Sequence, residues 1–328
     1  MKKKVIITGG AGFIGSHLVE LLLKKNFKVV VIDNFFSGRI KNLIHLSNNK
    51  NLIIEKKNIN KINPNDKSFK NVSYVFHLAG RGDIVPSIQN PSQYFETNVQ
   101  GTINILECCR YHKVKKIIYA ASSSCYGLAK TPTSEDHKID TKYPYALSKY
   151  MGEKCILHWS KIYKVPFVSI RIFNAYGTRV KTTGVYGALF GVFLKQKLLN
   201  KPLTIVGNGR QKRDFLYVTD VANAFYKAAT SKVQNEIFNL GFGNPTSVLE
   251  IAKLIGGKLT YIPKRPGEPD VTHANTDKIR KKLKWYPKIC IEEGVKIMLK
   301  NINDWKDAPL WDKKNINIAT KDWFKYLS

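Results

Sequence analysis

The first half of the chain repeats one pattern: a short run dominated by Val, Ile and other apolar residues, followed by a helix-length stretch with apolar positions at helical spacing. The runs predict strands over residues 4–8, 28–33, 52–56, 72–78, 115–121 and 167–171. Strands alternating with helices specify an α/β fold built on a doubly wound parallel sheet. Two intervening segments, 91–111 and 144–163, are each long enough for about five helical turns. Helices of that length on one side of a sheet can pair with copies of themselves, so a homodimer through these two segments is expected, plain sheet cover being the alternative. After about residue 175 the elements shorten, with the turn Gly207-Asn208-Gly209 and a proline-rich connection around Pro263, Pro266 and Pro269. The pattern predicts two lobes, 1–175 and 176–328, with some segments of the second returning to the sheet. A tail from about Asn301, carrying Trp305, Trp311 and Trp323, is expected to fold back onto the body.

Composition narrows the functional classes. A chain of 328 residues with 43% hydrophobic content can bury a substantial core as one large domain or two unequal ones. The apolar stretch after Met1-Lys2-Lys3-Lys4 is short and broken by glycines, and no later run spans a bilayer. A cytoplasmic protein without a membrane partner is expected. Cys108, Cys109, Cys125, Cys155 and Cys290 fit neither a disulfide framework nor a zinc pattern, so no metal site is expected. The net charge of +30 invites a nucleic-acid reading, yet the basic residues spread over the whole chain with no local footprint or recognition motif. Nucleic acid is therefore not expected as a partner, and the positive field suits capture of a small doubly anionic substrate.

The candidate chemistry begins at Thr8-Gly9-Gly10-Ala11-Gly12-Phe13-Ile14-Gly15, where a strand meets a helix start. Gly9 can turn tightly, Gly12 lets backbone N–H groups approach a pyrophosphate, and Gly15 lets the helix pack on the strand it has left. The next predicted strand ends in Asp33, whose carboxylate can accept from a ribose diol. Ser122, Ser123 and Ser124 end the fifth strand, and Tyr145 and Lys149, four apart, share a helix face. A free phenol titrates near 10, so serving as a base near neutrality requires a shift of about three units, roughly 4 kcal/mol. A lysine beside it and an oxidised nicotinamide can together supply that in a dry cleft, with Ser122 holding the substrate hydroxyl.

These residues, with Asp33-Asn34, Thr97-Asn98-Val99, Arg171-Ile172-Phe173-Asn174, the run from Arg213 to Val218 and Arg265-Pro266-Gly267-Glu268, make the chain resemble the extended short-chain dehydrogenase/reductases. Within them it is similar to the NAD-dependent nucleotide-sugar epimerases and dehydratases, nearest the UDP-sugar 4-epimerases. The resemblance implies a Rossmann-type NAD-binding lobe with a smaller α/β substrate lobe and a UDP-sugar substrate. It implies Tyr145 as base, Lys149 as its tuning partner on the nicotinamide ribose, and Ser122 beside them. Cofactor contacts implied are Gly9, Gly12, Phe13, Ile14, Gly15, Asp33, Asn34, Asn58, Ile59, Leu78, Ala79, Asn98, Tyr145 and Lys149. Substrate contacts implied are Asp83, Ser123, Ser124, Asn174, Arg213, Arg265, Glu268 and Thr272. Dehydratases and decarboxylases of this kind carry acids where Ser123 and Ser124 stand, which disfavours those reactions and favours 4-epimerisation. Thr272, smaller than a tyrosine at that position, leaves room for an N-acetyl group on C2. Asn58 replaces an aspartate that usually meets the adenine. Asp83 is either a selector of an amino, carboxylated or otherwise unusual sugar or a solvent-facing loop charge. Alternatives are a dehydratase, decarboxylase or reductase on the same scaffold, and a non-catalytic dinucleotide- or nucleic-acid-binding protein.

Overall fold

A computed structural model describes residues 2–180, 189–264 and 268–327. Its centre is a parallel sheet formed by β1 (Lys4–Thr8), β2 (Lys28–Asp33), β3 (Leu52–Lys56), β4 (Val72–His77), β5 (Lys116–Ser122) and β6 (Phe167–Ile172), completed by a seventh strand from the second half of the chain. Val5, Ile6 and Ile7 are fully buried, as are Val29, Val31 and Ile32. Such runs have no polar alternation because helices cover both faces of a parallel sheet. β3 lies at the edge, which is why Ile53 and Ile54 remain over a third exposed.

One face is covered by α1 (Phe13–Lys24). The other is covered by α4 (Gly101–Tyr111) and α5 (Pro144–Tyr163), with α2 (Ile84–Gln89) and α3 (Pro91–Phe95) packed against α5. The predicted single helix over 91–111 is interrupted: a π-helical turn, Glu96–Gln100, joins α3 to α4. It holds Asn98, only 1% exposed, where the amide bonds Arg81 N at 2.8 Å, Arg81 O at 3.1 Å and Ser148 Oγ at 2.9 Å. One widened turn thus re-aims a side chain that a regular helix would point elsewhere. On α5 the expected pairing surface leaves Leu147, Met151 and Ile162 exposed.

Beyond β6 the chain continues through β7 (Asn174–Tyr176), α6 (Leu189–Leu198), β8 (Leu203–Val206), β9 (Lys212–Arg213), β10 (Phe215–Tyr217), α7 (Val218–Thr230), β11 (Glu236–Leu240), β12 (Thr246–Ser247), α8 (Val248–Ile255), β13 (Leu259–Ile262), α9 (Asp277–Leu283), α10 (Ile291–Lys300), α11 (Lys313–Ala319) and α12 (Lys321–Tyr326). β11 is the seventh strand, parallel to β6 from Glu236 opposite Val168 to Leu240 opposite Ile172. α7 packs beside α1 on the first sheet face, its Val221, Ala224 and Phe225 fully buried. The segments returning to the sheet are therefore α7 and β11. Strand order β3-β2-β1-β4-β5-β6-β11 reverses direction between β1 and β4, and the crevice at the carboxyl ends there is where such sheets bind ligands. Among the described residues no helix is long and apolar enough to cross a membrane.

Candidate active site

At the end of β1 the chain turns through Gly9, with φ +71°; a Cβ there would lie 2.7 Å from Ala79 N. A Cβ on Gly15 would lie 2.2 Å from Gly9 O, so α1 can start against the turn only if that residue is glycine. The amino end of α1 faces a cleft of about 630 Å³ lined by Gly12, Phe13, Ile14, Asn34, Asn58 and Ile59, with Leu78 and Ala79 beyond β4. Asp33 lines it too, and also holds the glycine turn: Oδ2 accepts from Ala11 N at 2.9 Å and Oδ1 from Phe35 N at 2.8 Å. Burial pushes its carboxyl pKa up, the two N–H donors opposing. The Asn58 side chain caps a short helical turn by accepting from Asn60 N at 3.1 Å. Asn98 does not line the cleft; the π turn commits it to the backbone of Arg81, a loop that does. Not anticipated were Arg81, whose guanidinium lies 4.1 Å from the Phe36 ring centroid, and Gly80, where a Cβ would come within 2.9 Å of Asn98 Oδ1 and 3.6 Å of Lys149 Nζ.

The candidate catalytic residues Ser122, Tyr145 and Lys149 line this same cleft. Proline at the start of α5 sets the helix direction, placing Tyr145, Lys149 and Glu153 one turn apart on one face. Ser122, the last residue of β5, hydrogen-bonds the Tyr145 phenol, and the rings of Tyr143 (stacked) and Tyr94 (edge-on) lie 6.4 Å away. The surrounding protein raises the phenol pKa: burial is the largest cause, the Ser122 bond opposes it, and the charge of Asp83 adds to it. Lys149 is 7% exposed, 4.4 Å above the Tyr119 ring. Burial drives its pKa down to about 7, with Glu153 opposing. Burial thus disfavours the ammonium expected to depress the phenol pKa, and the shift at Tyr145 comes from burial, Ser122, Asp83 and Cys125.

Behind this face Glu153 and Arg171 form a buried pair, 2% and 4% exposed, joined at 2.5 Å. Arg171 also reaches Tyr126 Oη at 2.7 Å and Glu135 O at 3.1 Å, and Tyr126 donates to Asn239 on β11 at 2.7 Å. The pairing holds the Arg171 pKa above its ordinary value despite burial.

A second cleft, about 410 Å³, opens beside the first and shares Asp83, Ser124, Phe173 and Ala175 with it. Ser123, Asn174, Arg213, Glu268 and Thr272 line it. Thr272 donates to Asn174 Oδ1 at 2.8 Å, which turns the Asn174 amide nitrogen toward other acceptors. Arg213 Nη2 donates to Glu268 Oε1 at 2.7 Å, so two residues expected to hold a nucleotide are joined to each other. Arg265 lies outside the described residues. Asp214, fully buried, accepts from the backbone N–H groups of Phe242, Gly243 and Ala274 and anchors the segment carrying Arg213.

Residues 5–241 match the NAD dependent epimerase/dehydratase family. The chain belongs to that family. A UDP-glucuronate 4-epimerase of Thermodesulfobacterium geofontis is 33% identical, over 95% of this chain and 97% of its own. A UDP-N-acetyl-alpha-D-glucosaminuronate decarboxylase of Bacillus cytotoxicus is 32% identical, over 90% and 96%. The crystal structure of UDP-glucuronic acid 4-epimerase from Bacillus cereus, in complex with UDP-glucuronic acid and NAD, superimposes with a TM-score of 0.85 at 30% identity, covering 92% of this chain and 99% of that one. The protein is thus an enzyme of the NAD-dependent epimerase/dehydratase family with NAD as its cofactor. Its first cleft fits that group: Gly12 and the amino end of α1 line it where a diphosphate can meet backbone N–H groups, and the Asp33 carboxylate lines it where a ribose diol can donate.

Family membership makes the state of Lys149 measurable. Its folded pKa of about 7 lies below the ordinary 10.5, so between those values the unfolded chain holds a proton that the folded one has released. Stability therefore rises with pH across that window, and the cost of burying the ammonium is fully present below pH 7. In cofactor-stripped enzyme, Lys149→Met raises the melting temperature at pH 6 by roughly 5 °C and much less at pH 10, as differential scanning calorimetry would record.

Proposed function

We propose that the enzyme interconverts C4 epimers of a UDP-hexose or UDP-N-acetylhexosamine. The observation that carries this reading is the end of β5 and the turn after it, where Ser122 bonds the Tyr145 phenol and Ser123 and Ser124 line the adjoining cleft in place of the acids that elimination or decarboxylation requires. Epimerisation needs only one proton acceptor, which later gives the proton back. In this mechanism Ser122 orients the C4 hydroxyl and Tyr145 takes its proton as phenolate. Bound NAD supplies the hydride acceptor, the returning hydride and a ring charge that favours the phenolate. Arg213 exchanges Glu268 for the diphosphate, Glu268 accepts from a ribose diol, and the Asn174 amide nitrogen donates to phosphate oxygen. Firm hold on the nucleotide with a loosely held hexose lets the 4-keto sugar turn its other face before Tyr145 returns the proton.

Asp83 favours a second reading, dehydration or decarboxylation, because a carboxylate borders both clefts and its charge reaches the phenol. NMR of products separates the two. Incubation of the holoenzyme with UDP-glucose, UDP-N-acetylglucosamine and UDP-glucuronate gives inversion at C4 on the first reading; loss of water or carbon dioxide selects the second.

Thr272 tests the room at C2. In Thr272→Tyr, kcat/KM for UDP-N-acetylglucosamine falls about tenfold more than for UDP-glucose, a difference measured by coupled assay of each substrate.

A further inference from the structure

The last two helices cross the substrate cleft. α11 is seated on the C-terminal lobe: Ile316, 2% exposed, packs with Val206 and Ile262, and the Trp311 carbonyl just before it accepts from Gln196 Nε2 at 2.7 Å. α12 reaches the other lobe, packing on α2, where Gln89 Nε2 donates to Asp322 Oδ2 at 2.7 Å. α2 starts directly after Asp83, the residue common to both clefts. Thr320, between these two anchorages, and Trp323, beside the second, line the substrate cleft, Trp323 being 7% exposed.

Resting on the UDP-sugar reading above, we propose that Trp323 is the aromatic wall of the sugar subsite and determines how tightly the hexose is held. A hexose presents apolar C–H faces, and an indole plane contacts either face without directional bonds. That contact suits a sugar that must bind in two orientations: the indole excludes water in both and itself fixes neither by a hydrogen bond. The Gln89–Asp322 link keeps the wall in place from the cofactor-binding side.

The test compares binding of UDP-glucose and of UDP, by calorimetry, in NAD-loaded Tyr145→Phe enzyme, where no turnover disturbs equilibrium. Trp323→Ala weakens UDP-glucose about tenfold and UDP less than about twofold, and Trp323→Phe restores most of the loss. Asp322→Ala, which leaves the indole present but unties α12 from α2, gives a smaller loss with the same selectivity. With Tyr145 intact, KM for the UDP-hexose rises more than kcat falls. Equal weakening of both ligands, or no weakening of either in folded Trp323→Ala and Asp322→Ala, overturns the wall. Selective binding that depends on Trp323 without C4 inversion of any UDP-hexose overturns the epimerase reading and leaves the wall standing.

Discussion

Tyr145→Phe lowers kcat by about 10³-fold or more while the dissociation constant for the UDP-sugar changes little, because the substitution removes one oxygen and keeps the ring against Tyr143 and Tyr94. The size of the effect follows from the surroundings. Burial and Asp83 raise the phenol pKa and only the Ser122 bond lowers it, so on the proposed mechanism Lys149 and the cofactor's ring charge must supply the rest of the base strength. Removing the group that all of them serve loses the sum. Steady-state kinetics with a binding titration of the same variant checks both halves, and retention of more than about a tenth of kcat would rule Tyr145 out as the base. The wild-type profile carries a sign as well. Activity that needs the phenolate falls as pH drops, and in cofactor-loaded enzyme the descending limb belongs to Tyr145 modulated by Lys149.

Glu153→Gln destabilises the fold by about 3–5 kcal/mol, the cost of leaving the buried Arg171 guanidinium without its carboxylate. Arg171 is only 4% exposed and cannot recover the loss from water. Urea unfolding of the variant measures this. Glu153→Met with Arg171→Met costs less than the single change, since an apolar pair removes both charges. The substitution also reaches the proposed chemistry: the Glu153 charge raises the Lys149 pKa against burial, so its loss lowers that value further and leaves less ammonium one turn below Tyr145.

What could be read from residues alone divides along distance in the chain. β1, β2 and β3 are legible because an apolar run flanked by turn residues is a local signal, and the glycine turn, Ser122 and the Tyr145–Lys149 spacing are local in the same sense. β11 was not located in advance. Its five residues resemble any short apolar segment, and only the partner β6, over sixty positions earlier, makes them a strand of this sheet. The π turn is equally silent, for a helix with one extra residue keeps nearly the same apolar pattern while rotating Asn98 inward. Expected contacts of Arg213 and Glu268 with a nucleotide rested on their types, and their mutual pairing is a contact between segments 55 residues apart. Glu153 did carry a usable signal: it repeats the four-residue step from Tyr145 through Lys149. Trp323 carried none, since a tail folding back is readable and the place where it lands is not.

The placement of β11 and α7 has a consequence for synthesis. A ribosome must deliver residue 230 before α1 gains its companion helix and residue 240 before β6 gains its outer neighbour. Until then the nascent amino-terminal half exposes an open strand edge and an uncovered apolar face. The halves of this enzyme are therefore not exchangeable cassettes, and a gene fusion cut near residue 175 would inherit a sheet missing its border.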